Sequence, residues 1–384
     1  MENEKRHFHA LAILFYISIF LNGFESGGFQ ATLVSIGDEY GLTTQMEGIL
    51  ASVELFATVF APLVLGPIAD RVGKKRILVL FTFWRAISGG IILLSTGRIG
   101  LTIGIFVLGM AVSMVQVSAI SGMMDGYPKT NHKRMGLVAV MYALGAVVAP
   151  LFVDVMIQTS LGWQGFFVAG LIISLVLTAI LWKSDFAPRE QGEKEQESEQ
   201  KNGRLYVLGV LFLCLIMFIY CGVENGVGFF MNEFAAERIA GGDGYVALSL
   251  FWLAMIPSRL LSGVLVRYRK AMLVSAPLGA ALLLLACSGI NTTGALLVFA
   301  FATGFFCGVI YPNVLTYASD FAGSRTATVM SAITIATGLG GAIISAAFGF
   351  VASWVGFSGT FRVLAAVLAI DVILAIIVVT RKRP

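Results

Sequence analysis

The chain has 384 residues, of which 58% are hydrophobic and only 12% are charged, with a formal net charge of +4. Soluble domains carry about 25% charged residues, so this composition excludes an ordinary soluble globular protein. It indicates a polytopic membrane protein, and the small basic excess then reflects membrane topology rather than binding to nucleic acid.

Apolar segments of about 20 residues, the length that crosses a bilayer, recur along the whole chain. They predict an all-α membrane protein with twelve transmembrane helices, at residues 9–35, 44–68, 76–96, 101–125, 135–157, 163–183, 205–232, 244–266, 271–290, 294–318, 326–351 and 358–380. The one long hydrophilic stretch, 184–204, is rich in Glu, Gln and Lys and is predicted to be a cytoplasmic linker. It separates an N-terminal bundle, 1–183, from a C-terminal bundle, 205–384, with six helices each.

Basic residues are distributed unequally between the two sets of predicted loops. One side holds Lys5, Arg6, the basic residues of 71–76, 129–134, 183–204 and 267–270, Arg325 and those of 381–383, whereas the other side holds only Arg98, Arg238 and Arg362. Cytoplasmic loops carry the excess of Lys and Arg. We therefore predict a multi-pass protein of the plasma or inner membrane with both termini in the cytoplasm.

The turn between the second and third spans carries the most specific motif. Its pattern is G-x-x-x-D-R-x-G-K-K, with Gly66, Asp70, Arg71, Gly73, Lys74 and Lys75. This pattern resembles the signature loop between the second and third helices of major facilitator transporters, which implies a gating role for these residues. The alternative is an ordinary basic loop under a membrane.

The two halves also resemble each other. The loop at Gly66 corresponds to residues 263–270, and residues 143–148 correspond to 338–343, both at an offset close to 195 residues. Two matches at one offset favour a duplicated six-helix unit, the arrangement that alternating access around a central cavity requires.

Carboxylates within the predicted spans are candidates for proton coupling, because a charge at bilayer depth costs a few kcal/mol. Glu25, Glu54 and Glu224 are the main candidates, and Asp154 and Asp371 are less certain ones. A buried carboxylate that binds a proton on one side and releases it on the other would couple transport to a proton gradient. The alternative is a structural ion pair, for example between Glu54 and the intramembrane Arg85.

Amides and aromatic rings within the spans are candidates for substrate binding, since such groups form sugar sites. The set is Gln30, Gln116, Asn225, Asn232, Trp252 and Asn313. Aromatic residues at helical spacing more often serve packing or anchor the interface.

Enzyme signatures are absent from the sequence. No G-x-x-x-x-G-K-[ST] loop is present to use ATP, and no His/Cys cluster has metal-ligand spacing. We therefore predict that the chain is not an enzyme and needs no metal or cofactor, and that an ion or substrate gradient supplies the energy.

Three segments of the second half narrow the resemblance. Residues 218–228, 249–261 and 304–312 resemble the seventh, eighth and tenth helices of the fucose and glucose/galactose permease branch, with Glu224 in a Gly-rich helix and F-W-x-x-M followed by Ser258-Arg259. The resemblance implies transport of a sugar together with protons, with Glu25 at the place of a protonated first-helix acid. Gln116 stands near the branch's fourth-helix acid, which is a departure.

The prediction is a proton-coupled secondary transporter that moves a sugar or related small polar solute by alternating access. Its expected partners are the solute, protons and the lipid bilayer, with no nucleic acid, and it is expected to be a monomer. The alternative is a proton-driven exporter of drugs or metabolites. A membrane sensor on a transporter-like scaffold and an intramembrane enzyme are further alternatives, disfavoured by the lack of a soluble domain and of a catalytic constellation.

Overall fold

The computed structural model describes residues 2–126, 131–184, 206–322 and 325–380, and describes side chains within them except at 2–11, 66–71, 124–126, 131–136, 266, 319 and 326–327. Apart from the turns between helices, these ranges are helical, and the described residues contain no strand. The predicted linker, 184–204, lies outside the described residues apart from Ser184.

The helices follow the predicted spans closely. They are α1 (Glu2–Tyr40), α2 (Thr44–Val72), α3 (Lys74–Leu94), α4 (Arg98–Gly126), α5 (Asn131–Ile157), α6 (Gln164–Lys183), α7 (Val207–Phe229), α8 (Met231–Arg238), α9 (Gly244–Val264), α10 (Arg269–Ala286), α11 (Thr293–Phe321) and α12 (Thr326–Thr380). Within the described residues, eleven helical segments are long and apolar enough to cross a membrane, and the last of them, Thr328–Thr380, has 53 residues. Since about 20 residues cross a bilayer, α12 contains two spans, and the predicted fold class of twelve transmembrane helices is confirmed.

The chain divides into two compact units. The first contains Met1–Ile36 and Val53–Gln196, and the second contains Gly37–Ser52 and Glu197–Pro384. Residues 37–52, around the turn between α1 and α2, belong to the second of these units.

Glycine contacts hold α1 against α5 in the first unit. A Cβ on Gly23 would lie 1.8 Å from the carbonyl oxygen of Tyr142, and a Cβ on Gly145 would lie 2.0 Å from that of Phe20. Any side chain at these positions would push the helices apart. Small residues allow the close backbone approach by which helices pack in lipid.

The second unit repeats this contact between α7 and the first half of α12. A Cβ on Gly222 would lie 2.7 Å from the carbonyl oxygen of Gly340, and a Cβ on Gly340 would lie 1.9 Å from that of Phe218. Gly145 and Gly340 are equivalent positions in the repeat at an offset of 195 residues. The same packing contact at both positions supports the duplication inferred from the sequence.

The two spans of α12 are separated at Gly356, whose φ of 71° and ψ of 175° are not helical. A residue with a side chain would be strained in this conformation. The Glu237 carboxylate accepts hydrogen bonds from the backbone N–H groups of Phe357 and Ser358, the latter at 3.1 Å. It therefore satisfies the amides exposed where the last span begins, and a negative charge is favoured there.

The seventh span ends earlier than predicted. The sequence suggests one apolar segment to residue 232, but α7 ends at Phe229 and Asn232 lies in the short helix α8. The backbone leaves helical geometry at Phe230, with φ −111° and ψ 18°. Arg238 at the end of α8 donates to the carbonyl oxygen of Ile290 (3.1 Å) and to Asn291 Oδ1 (2.9 Å), so α8 is fixed to the turn that precedes α11.

Candidate functional site

Glu25 lies in the middle of α1 and is only 3% exposed. A Cβ built on Gly170 of α6 would lie 2.5 Å from Glu25 Oε1, so the carboxylate occupies the space that this glycine leaves. Arg85 of α3 is the basic residue that interacts electrostatically with it. The first unit thus encloses an acid at the depth that the sequence predicts.

Arg85 is 1% exposed and joins three other helices to α3. Its Nε donates to Ser174 Oγ on α6 (2.9 Å), and its Nη1 donates to Asn22 Oδ1 on α1 (3.0 Å). Asn22 in turn donates from Nδ2 to the carbonyl oxygen of Val112 on α4 (2.8 Å). The remaining nitrogen, Nη2, is buried and has no hydrogen-bond partner. One donor of this guanidinium is therefore available to another acceptor.

Glu54 is not the partner of Arg85, contrary to one alternative raised by the sequence. Arg85 is committed to Asn22 and Ser174, and its acidic neighbour is Glu25. Glu54 is buried on α2 where that helix meets Gly109 of α4, a Cβ on which would lie 2.4 Å from the Glu54 carbonyl oxygen. Hydropathy predicts how deep in the membrane an acid lies, but not which neighbouring helix it faces. The partner of Arg85 therefore could not be predicted from the sequence.

The second unit has its own interior acid and arginine. Arg259 Nη2 on α9 lies 3.3 Å from Glu224 Oε1 on α7 and 3.5 Å from Met255 Sδ. The carboxylate side chain is 10% exposed and the arginine side chain 27% exposed. Arg259 Nε is buried and has no hydrogen-bond partner. The sequence treated Arg259 only as part of a family motif, although an arginine within a span was itself a signal.

The polar residues predicted to bind substrate differ in their surroundings. Asn225 and Asn313 each donate from Nδ2 to a carbonyl oxygen four residues earlier, Cys221 and Val309 respectively, both at 2.8 Å. Each of these side-chain amides therefore hydrogen-bonds to the backbone of its own helix. The other four lie in α1, α4, α8 and α9: Gln30 and Trp252 are buried, and Gln116 and Asn232 are half-buried. A role in substrate binding stays a prediction for all six.

Half of the predicted gating loop is described at the side-chain level. Gly73 separates α2 from α3 with φ 97°, a conformation that favours glycine. Lys74 Nζ donates to the carbonyl oxygen of Ser121 (3.5 Å), and Lys75 Nζ donates to that of Ser184. The two lysines thus bind near the C-terminal ends of α4 and α6, where a positive charge is favoured. The side chains of Gly66, Asp70 and Arg71 lie outside those described.

A carboxylate that the sequence analysis missed lies outside the predicted spans. Both carboxylate oxygens of Glu233 on α8 are buried and have no hydrogen-bond partner. Burial, together with the carboxylates of Glu47 and Asp38, raises the pKa of Glu233 well above its ordinary value. The folded protein therefore binds a proton at Glu233 more tightly than the unfolded chain does.

We expect Glu233→Gln to stabilise the protein at neutral pH. Because the folded pKa is raised, stability falls as pH rises from the unfolded value of about 4.3 toward the folded pKa. The glutamine removes this loss, so the free energy of unfolding should rise by about 1–3 kcal/mol at pH 7, with the difference shrinking toward pH 4. Thermal unfolding of purified protein across pH measures it.

Glu237→Gln is the matched control, four residues further along α8. This change weakens the hydrogen bonds to Phe357 and Ser358, so it should lower the melting temperature. If Glu233→Gln and the unmodified protein have the same melting temperature at every pH, the raised pKa of Glu233 is contradicted.

Each unit therefore contains a buried acid and an arginine that neighbours it from a different helix, Glu25 with Arg85 and Glu224 with the half-buried Arg259. Such charges are costly in the membrane interior and mark ion or substrate pathways. These acids can bind and release a proton, and the arginines can bind a ligand that offers hydrogen-bonding or negatively charged groups. Among the described residues no group of three or more His, Cys, Asp or Glu side chains could hold a metal ion.

Comparison with known proteins places this arrangement in a family. The model of the Major Facilitator Superfamily matches residues 15–278 and 213–384. The Glucose/galactose transporter of Brucella abortus biovar 1 (strain 9-941) is 26% identical over 313 residues, 76% of this chain and 75% of that protein. The Cis,cis-muconate transport protein of Acinetobacter baylyi (strain ATCC 33305 / BD413 / ADP1) is 24% identical over 371 residues, 90% and 88% of the two chains.

A solved structure supports the same fold. A bacterial homolog to the human lysosomal transporter Spinster, in an inward-facing and unoccupied conformation, aligns with a TM-score of 0.82 at 14% identity over 98% of this chain and 99% of that chain. The resemblance to the glucose/galactose branch, inferred from the second-half motifs, is confirmed by the Brucella relative. Because the family model matches nearly the whole length, the chain is a multi-pass membrane transporter that belongs to the Major Facilitator Superfamily.

Proposed function

We propose that the protein is a proton-coupled secondary active transporter that moves a sugar or related small polar solute by alternating access. The observation that carries the proposal is Glu25, an acid enclosed at mid-depth beside a guanidinium with a free donor. An enclosed carboxylate favours its protonated form, because a charge is poorly solvated there. The Arg85 guanidinium is the positive charge next to this carboxylate. Glu25 can therefore exchange a bound proton for an ionic contact.

The solute class rests on the names of two relatives and on the amide side chains within the spans. The Brucella relative is named for glucose and galactose, which are neutral, whereas the Acinetobacter relative is named for muconate, which is a dicarboxylate. Amide side chains within the spans suit hydroxyl-rich ligands. Sugars and related small polar solutes are the class that these observations share.

The same proposal includes the arrangement of the chain. Residues 1–183 and 205–384 form the two bundles, 184–204 join them in the cytoplasm, both termini are cytoplasmic, and the functional unit is a monomer in the plasma or inner membrane. The excess of basic residues in the predicted cytoplasmic loops supports this topology.

Two single cysteines test the topology. Gln191→Cys lies in the proposed cytoplasmic linker, and Gly242→Cys lies in the turn between α8 and α9. In a background with the native cysteines replaced, a membrane-impermeant maleimide added to intact cells should label only Gly242→Cys. Both should label after the cells are permeabilised, which is the control for reactivity. Labelling of both in intact cells would contradict the topology.

Proteoliposomes test the coupling. Purified protein is reconstituted, a pH gradient is imposed with the acidic side outside, and accumulation of labelled glucose, galactose, fucose and their acid derivatives is followed. We expect at least one solute to accumulate above its external concentration and to be released by a protonophore. Equilibration without accumulation would contradict proton coupling. If the solute accumulates only when the pH gradient is reversed, with the acidic side inside, the exporter alternative is favoured.

A further inference from the structure

The contact between Arg259 and Glu224 is only partly formed. A guanidinium can offer the Nε and Nη2 donors on one edge to both oxygens of a carboxylate. Here Nη2 alone meets Glu224, through one oxygen at 3.3 Å, and Nε on the same edge has no hydrogen-bond partner. The side chain keeps 27% of its surface accessible. A well-made structural pair would be bidentate and closed, so this arginine retains capacity for a second anion.

The groups around the pair do not supply that anion. The titratable side chains that interact with the pair are Tyr220 and Cys221 on α7 and Cys307 and Tyr311 on α11. The Tyr220 hydroxyl lies within reach of both Glu224 and Arg259, but it is a neutral group that a solute carboxylate can displace or bind beside. Phenols and thiols are neutral near pH 7. Asp371 of α12 interacts electrostatically with only one member of this group, Cys221. Both of its carboxylate oxygens are buried and have no hydrogen-bond partner. Among these described groups, Arg259 is the only cation.

We propose that Arg259 binds an anionic group of the transported solute, and that it does so when Glu224 takes up a proton. This inference rests on the proposed function and narrows its substrate to a small polar solute that carries a carboxylate, such as a sugar acid. Without solute, ionised Glu224 neutralises Arg259. When Glu224 is protonated, its attraction for the guanidinium is lost and the solute carboxylate takes its place on the Nε–Nη2 edge.

The charges balance in this exchange. Before binding, the pair consists of one carboxylate and one guanidinium, with a net charge of zero. After binding, a neutral carboxyl group, the guanidinium and one solute carboxylate again sum to zero. One proton and one monoanion enter together, so the interior never holds an uncompensated charge, which the low-dielectric membrane would penalise. Proton and solute thereby favour each other's binding, which is the linkage that coupling needs.

Matched sugar pairs test the proposal directly. Purified full-length protein is titrated with D-glucose against D-glucuronate and D-galactose against D-galacturonate, from pH 5.5 to 8.5, by calorimetry in buffers of different ionisation enthalpy. We expect a uronate to bind at least about tenfold more tightly than its hexose. Its binding should take up one proton, so that above the pKa of the pair the affinity falls about tenfold per pH unit.

Two variants and a control separate the roles. Arg259→Gln should lose at least about tenfold in uronate affinity and leave hexose affinity unchanged. Glu224→Gln should bind the uronate without proton uptake and without dependence on pH across this range. Arg267→Gln removes an arginine from the turn after α9 and should behave as the unmodified protein. The number of protons that the unmodified protein takes up on binding a uronate tests the proposal even if Arg259→Gln does not fold.

Three results of the binding measurements would each overturn the inference: no uronate binds the unmodified protein, a hexose binds at least as tightly as its uronate, or uronate binding takes up no proton. The transport measurements add two further outcomes. Accumulation of a neutral hexose on a pH gradient would overturn the anionic substrate while leaving proton-coupled transport intact. Proton-independent equilibration of a bound uronate would instead remove the proposed coupling. The two failures are therefore distinguishable.

Discussion

Glu25→Gln should abolish uphill accumulation in proteoliposomes and reduce solute uptake to equilibration. Glutamine imitates the protonated carboxyl group in size and polarity but cannot release a proton to the other side. Because Glu25 is enclosed between Gly170 of α6 and the Arg85 network, the substitution fits the same space. Solute affinity should change by less than about tenfold, roughly 1.4 kcal/mol. Parallel measurements of solute-driven proton flux and of solute binding separate coupling from recognition.

Glu39→Gln is the matched control, since Glu39 is an exposed acid near the end of the same helix. Accumulation by this variant should equal that of the unmodified protein. Solute-driven proton flux at an unchanged rate in Glu25→Gln would rule out Glu25 as the proton carrier. Glu224, which is proposed to take up a proton when an anionic solute binds, would then be the group that carries the coupled proton, and Glu54 would be tested by the same substitution and the same flux measurement.

The membrane spans could be predicted because bilayer thickness dictates their length. Ten of the described helices begin or end within a few residues of the predicted positions, and the last two spans follow each other directly across the non-helical Gly356. The break at Phe230 was missed because the apolar pattern continues through Phe229, Phe230 and Met231, and hydropathy does not report a change of backbone direction. Packing of α8 against its neighbours, through Arg238, decides that break.

The depth of the charged residues could also be predicted, but their partners could not. Glu25, Glu54 and Glu224 are all buried, as their position in the spans indicates. Which arginine faces which acid depends on how each helix is rotated and packed. Asn225 and Asn313 illustrate the same limit, because an amide can bind its own helix or face a cavity at the same depth. Only tertiary structure separates these choices.

Arg85→Met should destabilise the protein and also impair proton release. The change removes the donors for Ser174 and Asn22 and leaves Glu25 without an opposing charge. Loss of one member of a buried charged set costs about 3–5 kcal/mol. Arg85→Lys keeps the charge but lacks the planar fork that spans α1 and α6, so its stability should be intermediate. Thermal unfolding and the pH profile of solute-driven proton flux report the two effects separately.

The double variant Arg85→Met/Glu25→Gln decides whether the two residues form one coupled element. If Arg85 exists to balance the ionised form of Glu25, removing both charges should recover part of the stability lost in Arg85→Met, with an interaction energy of about 0.5–3 kcal/mol. Strict additivity would mean that Arg85 acts only through its hydrogen bonds to Asn22 and Ser174. In that case its loss would still loosen α1, α3 and α6, but the proton-flux profile of Arg85→Met would keep the midpoint of the unmodified protein. If Arg85 sets the pH at which Glu25 releases its proton, two results are expected. The double variant recovers stability, and the pH midpoint of proton flux in Arg85→Met is displaced.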